Sequence, residues 1–200
     1  MGFTDILLPD HIRNMMILKS DPLYDKLNEE EQESAIEKAR QLGIEASQWI
    51  LENYRNKDSY EVLKELKVPI IYEHVPYSKF IPYSIYRPKN KTITLYVNVV
   101  NNAVEQLYPY TNIETHKELL EKVTNVILFH ELFHHLEQIK FGSASKLMKT
   151  TTIDFGIFHL KSGIKALSEI AAHTFSIECI GSVHSYLNII SREEFDDESR

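Results

Sequence analysis

Apolar positions along this chain follow two different periods. From residue 35 onward, Ala35, Ala39, Leu42, Ala46 and Trp49 recur at intervals of four, three, four and three, the spacing of one helical face. Asn28 stands ahead of Glu29, Glu30 and Glu31, so the pattern opens with a side-chain cap and with negative charge where a helix dipole favours it. Gly43 interrupts the stripe mildly. The stripe ends within about two heptads, which fits a core face rather than a coiled-coil seam. A second helix start stands at Asp58, with Glu61 three residues on, and Pro69 stops that helix. Residues 1–27 form a leading segment whose short helix opens at Asp10 and closes before Asp21 and Pro22.

The period then changes to that of strands. Val68 to Val75 reads as one strand, and Phe80 to Arg87 as a second that Pro82 demotes to an edge or an irregular start. Pro88, Lys89, Asn90 and Lys91 supply a turn. Thr92 to Asn98 is the cleanest strand, with Ile93, Leu95 and Val97 facing one way and Thr92, Thr94 and Tyr96 the other. Beyond it the pattern is helical over 99–108, 114–140, 164–181 and 182–192. Residues 141–163 read as a loop bent at Gly142 and Gly156. The tail 193–200 is acidic and expected to fray. The fold class is therefore α+β: a mainly helical domain over 28–192, with a small antiparallel sheet of about three strands ahead of the helix at 114–140.

Two hundred residues, 43% hydrophobic, suffice for one core. A net charge of −7 argues against direct binding of nucleic acid, which needs clustered Lys and Arg. The single cysteine, Cys179, excludes an intramolecular disulfide and a Cys-based metal knuckle, and its position in an apolar helix suggests packing. Ile6, Leu7 and Leu8 are cut short by Pro9 and Asp10. No stretch has the length of an export signal or of a membrane span, so a cytoplasmic protein without membrane contact is expected.

The most informative residues are His130, Glu131 and His134, an H-E-x-x-H motif. On a helix, two imidazoles four positions apart stack about one turn from each other and can grip one tetrahedral ion, while the Glu leans toward a water on it. The flanking run Val126 to Phe129, with Leu132, Phe133 and Leu136, makes this helix apolar on most sides. Burying two His and a Glu there requires partners or a metal. The plain alternative is a set of core polar residues satisfied by their neighbours. His135 lies on another face and reads as structural, and Glu137 reads as solvated.

A catalytic zinc site takes three protein ligands and keeps one position open. A third His six residues after His134 is absent, because Lys140 stands there. Glu169 is the best candidate for the third ligand. It is a lone carboxylate among Ile164, Leu167, Ile170, Ala171 and Phe175, with the small Ala172 beside it to let a facing helix approach. His159, His173 and His184 compete, and a plain surface acid is the ordinary alternative for Glu169. His173, one turn beyond Glu169, fits better as a group that orients a ligand or stabilises an oxyanion.

The order of these segments, a strand ending Leu95-Tyr96-Val97-Asn98, then His130-Glu131-Leu132-x-His134, then Glu169-x-x-Ala172-x-x-Phe175, resembles the ImmA/IrrE family of zinc peptidases over roughly residues 30–180. The resemblance implies a gluzincin-like core of cytoplasmic bacterial or phage origin. It also implies limited cleavage of a protein partner, usually a helix-turn-helix transcriptional repressor. His130, His134 and Glu169 would then be the zinc ligands and Glu131 the general base. The chain departs from the family pattern at Phe133, where Gly is common, and in lacking a Leu-Met-Pro after the second motif. A donor for the developing oxyanion would come from His173, Tyr86, Tyr96 or Tyr186, and residues 92–98 would be the edge strand that receives the substrate. The rival expectation is a binding or regulatory module with a structural or degenerate metal site. A hydrolase of small molecules is a third, which a deep closed pocket would favour.

Overall fold

The computed structural model describes residues 7–76, 81–155 and 158–190, the side chains of 152–155 and 158–160 apart. The acidic tail 193–200, Phe80, Gly156 and the side chain of His159 lie outside what is described. The elements run α1 (Asp10–Lys19), α2 (Glu29–Asn53), α3 (Ser59–Glu65), β1 (Ile70–Glu73), β2 (Ser84–Arg87), β3 (Thr92–Tyr96), α4 (Val97–Leu107), α5 (His116–Leu136), β4 (Lys149–Phe155), β5 (Phe158–Gly163), α6 (Ala166–Ile180) and α7 (Val183–Tyr186). No helix among the described residues is long and apolar enough to cross a membrane.

The helix starts follow from local chemistry. Asn28 and Asp58 each accept the backbone N–H three residues on, while Glu31 and Glu61 reach back to the cap's own N–H, so both helices open with a capping box. Thr115 caps α5 by accepting Glu118 N–H. The interior of α5 is apolar on nearly every side, with Leu119, Val123, Leu128, Leu132, Phe133 and Leu136 fully buried, and α6, α4, α3 and β2 pack around it. The rings of Phe133 and Phe175 pack 5.7 Å apart, tilted by 46°, between α5 and α6. Burying each ring stabilises the fold by roughly 2–3 kcal/mol.

α2 and α6 approach each other closely. A Cβ on Gly43 would meet Ala171 O at 2.5 Å and Thr174 Cβ at 2.9 Å. The glycine that looks like a mild blemish in the stripe is therefore the point where the two backbones touch.

The sheet departs from expectation in two ways. Its order is β1-β3-β2, with β1 parallel to β3 and β2 antiparallel to it, so it is mixed rather than purely antiparallel. β3 is the central strand and all five of its residues are buried; the edge strands are β1 and β2, not the strand expected as an edge at 92–98. Val97 and Asn98 belong to α4, where the Asn98 amide clamps Val75 through its N–H (3.1 Å) and C=O (2.8 Å). The expected loop at 141–163 contains a hairpin, β4 paired antiparallel with β5 with a bulge between Thr151 and Ile153. Its signal was the β-branched run Thr150, Thr151, Thr152, Ile153. Of the helix expected at 182–192, the described residues form only the single turn of α7.

Candidate metal centre

α5 presents His130 and His134 one turn apart, their ring centroids 5.1 Å from each other. α6 packs across them and brings in Glu169. His130 Nε2 lies 3.3 Å from Glu169 Oε2, and His134 Nε2 lies 3.6 Å from Glu169 Oε1. One ligand atom from each of the three residues falls within 4.8 Å of the others, and no other group of three or more His, Cys, Asp or Glu among the described residues does so. Two imidazole nitrogens and a carboxylate aimed at one point are a donor set suited to a tetrahedral divalent ion with a position left open. The residues fit a metal.

The electrostatics record the same convergence. Burial opposes charge on His134, yet its hydrogen bond to Glu137 and the charges of Glu169, Glu131 and Glu137 push its pKa up to about 9. Burial also works against the Glu169 carboxylate, but the hydrogen bond from His130 and the charges of His130 and His134 hold it well below the ordinary range. Although half the Glu169 side chain is exposed to the cleft (51%), its carboxylate sits against the imidazoles. A compact set of charges that stabilises its members this strongly is a functional-site signature.

Glu131 is 6% exposed, and both its oxygens are engaged from β2. Ser84 Oγ donates to Oε1 (2.6 Å) and the Tyr86 backbone N–H donates to Oε2 (2.6 Å). In an antiparallel ladder alternate residues turn N–H and C=O away from the partner strand. Tyr86 N–H is such an outward group, and Glu131 takes it up. This ties α5 to the edge strand β2.

His173 lines the same cleft, its ring 4.7 Å from that of His130. Burial, then the charge of His130, holds its pKa well below the usual imidazole value, so it is neutral. Its Nδ1 is buried with no hydrogen-bond partner among the described residues. Of the tyrosines, the Tyr86 hydroxyl is turned to His135 Nδ1 (2.8 Å) and Gln138 (3.0 Å), and that of Tyr186 receives the Asn125 amide (2.8 Å). His135 is thus outside the ligand cluster, as expected. His184 stands on α7 and is outside the cluster.

Glu137 is the correction. Expected in solvent, it is only 9% exposed. It sits 3.1 Å from His134 Nδ1 and accepts Ala144 N–H (2.7 Å) and the Ser168 hydroxyl. The physical reason is that α5 passes at Glu137 into a π-helical turn, Glu137–Phe141, which folds the chain back against α6. Sequence reasoning also missed Ser84 and Ser168. A signal for Glu137 was available in its spacing, three residues after His134, where side chains of one helix meet; none marked the serines.

The cleft over the centre has a volume of about 1370 Å³. α1 closes one wall with Met16 and Ile17, the segment before β2 supplies another, and Ser143, Ser145 and Lys146 a third. The stretch after α5 flanks the cleft through Gly142, Ser143, Ser145 and Lys146. Gly163 lets this wall form, since a Cβ there would meet Ser145 O at 2.2 Å.

No family model matches the chain, and neither a curated protein nor a solved structure does.

Proposed function

We propose that this protein is a zinc-dependent endopeptidase that makes limited cuts in a protein partner. The observation that carries the reading is the convergence of His130, His134 and Glu169, with Glu131 on the same helix. His130, His134 and Glu169 would hold the zinc, which would supply Lewis-acid chemistry to a water and a substrate carbonyl. Glu131 takes the proton from the attacking water and passes it to the departing amine. Its two hydrogen bonds from β2 set the carboxylate's position, and a carboxylate with about four lone-pair sites can still accept from water. His173, neutral and beside His130, is the group we assign to the developing oxyanion.

The size of the cleft supports a chain-like substrate, because pockets for small molecules are roughly 300–1,000 Å³. β2 borders it as an edge strand. With Tyr86 N–H occupied, the outward groups at Ser84 remain to pair with an extended peptide. The motifs' likeness to ImmA/IrrE peptidases supports a helix-turn-helix repressor as the substrate and the cytoplasm as the place of work.

The second reading is a regulatory module whose metal site is structural, favoured by one observation: both oxygens of Glu131 are already committed to β2. Zinc content of the native chain, with cleavage of a neighbouring repressor by wild type and Glu131→Gln, separates the two. The peptidase reading expects one zinc in both proteins and hydrolysis by wild type alone, reduced at least 1,000-fold in the variant. Cleavage by Glu131→Gln at the wild-type rate removes Glu131 from the mechanism, and zinc-loaded wild type that cuts nothing supports the regulatory module.

A further inference from the structure

The cluster around Glu137 contains more than buried polar groups need for mutual satisfaction. We propose that Glu137 is a positioning residue that fixes the tautomer and orientation of His134 for metal binding. The inference rests on the metal-site reading and adds to it a residue outside the ligand set.

His134 is held from both sides. Its Nε2 faces Glu169 Oε1 at 3.6 Å and its Nδ1 faces Glu137 Oε2 at 3.1 Å. Glu137 accepts from Ala144 N–H and from the Ser168 hydroxyl, and an acceptor facing Nδ1 favours the tautomer with its hydrogen on that nitrogen. That leaves the Nε2 lone pair directed at the point where the three ligands meet. Partners of this kind on the far nitrogen orient metal-binding imidazoles generally.

Glu137 is itself pinned. Ala144 N–H donates to Oε1 at 2.7 Å, and the Ser168 hydroxyl, one residue before Glu169, donates to Oε2. The backbone turn that makes this possible is specific. The π-helical turn at 137–141 widens the end of the helix. Gly142, at φ +79°, then reverses the chain in the left-handed region that favours glycine, and Ala144 N–H reaches back. Three segments therefore meet on one carboxylate: the end of α5, the wall of the cleft and the first turn of α6. No comparable carboxylate meets the far nitrogen of His130 among the described residues. The support is particular to His134.

Glu137→Gln tests this because the flip of the new amide is determined. Its oxygen must accept the buried Ala144 N–H, so its NH₂ points at His134 Nδ1. A donor there demands the Nδ1 lone pair and moves the ring hydrogen to Nε2, the atom that should bind metal. The zinc dissociation constant, measured by chelator competition on the full chain, should rise 10–100-fold. Ser168→Ala, which removes one of the two bonds that pin Glu137 and a hydroxyl 3.3 Å from His134 Nδ1 but keeps the Glu137–His134 contact, should raise it by a smaller factor than Glu137→Gln does. In the zinc-loaded wild type, long-range ¹H–¹⁵N spectra should show His134 protonated at Nδ1 and metal-bound at Nε2. A purely structural carboxylate would move neither measurement.

A folded Glu137→Gln that binds zinc within twofold of wild type overturns the proposal. So do spectra that place the metal on His134 Nδ1, a readout that stands even where the variant fails to fold. Wild type that binds no zinc fails earlier and sinks the metal centre itself.

Discussion

The two faces of α6 are built on opposite principles. Toward α2 it is a close-packed seam, in which Ala171 and Thr174 press against Gly43 with no space for a methyl group. Toward α5 its first turn carries Ser168 and Glu169 into a polar cluster with His130, His134 and Glu137. The first face contributes stability through close packing. The second holds charges whose mutual stabilisation is available for exchange with a metal. The seam fixes the axis of α6, and the axis decides whether Glu169 reaches the two imidazoles at all. Stability on one face is a condition for chemistry on the other.

The strongest way to break this division is Gly43→Val. A Cβ alone would come within 2.5 Å of a backbone carbonyl, and the two methyl groups beyond it have nowhere to go. Overpacking of this kind costs about 3 kcal/mol or more where backbone must move. Equilibrium urea unfolding of the metal-free protein should show that loss, and zinc affinity should fall as well if α6 shifts. A variant as stable as wild type would mean the seam can open, and the link between seam and centre would be lost.

The α2 stripe and the candidate ligands were legible in the sequence; the contact of Gly43 with α6 and the hydrogen-bonded surroundings of the ligands were not. The α2 stripe, the caps at Asn28 and Asp58, and the spacing of His130 and His134 are local patterns within one helix, so a period and a few cap residues suffice to find them. Glu169 could be proposed because a lone carboxylate in an apolar helix demands a partner. What failed depends on contacts distant in sequence. Whether β3 lies in the centre or at an edge is decided by β1 and β2 on either side. The burial of Glu137 is decided by a π-helical turn and by Ala144 and Ser168. The pairing of Glu131 with Ser84 and Tyr86 spans more than forty residues, and no periodicity encodes it. The hairpin at 149–163 was missed for a different reason: its β-branched signal is real but short.

The charged face should show itself in the dependence of stability on pH. His134 titrates near 6.5 when unfolded and about 9 when folded. A raised folded pKa contributes stability that is complete below pH 6.5 and is lost as pH rises through about 9. Glu169, held below its ordinary range, stays ionised throughout that window. His173 and His135, both shifted downward, act only below it. Metal-free protein should therefore lose on the order of 2 kcal/mol between pH 6.5 and 9, as read by urea midpoints. Zinc-loaded protein should show no such loss, because the metal takes the place of the His134 proton. A flat profile without metal would contradict the charge pairing in the cluster.

The smallest effect sharpens the comparison by acting far from both faces. Asn28 accepts Glu31 N–H at 2.9 Å, and Glu31 returns a bond from Asn28 N–H at 3.0 Å, closing the capping box of α2. Asn28→Ala removes the first bond and leaves the helix's leading N–H groups to water, a loss of about 1 kcal/mol. The seam lies some four turns along α2 at Gly43, so a frayed first turn should leave the α2–α6 contact in place. Stability should fall by that amount with zinc affinity unchanged. A matching drop in zinc affinity would show that α2 transmits strain along its length, and the separation between packing face and chemical face would then be one of degree.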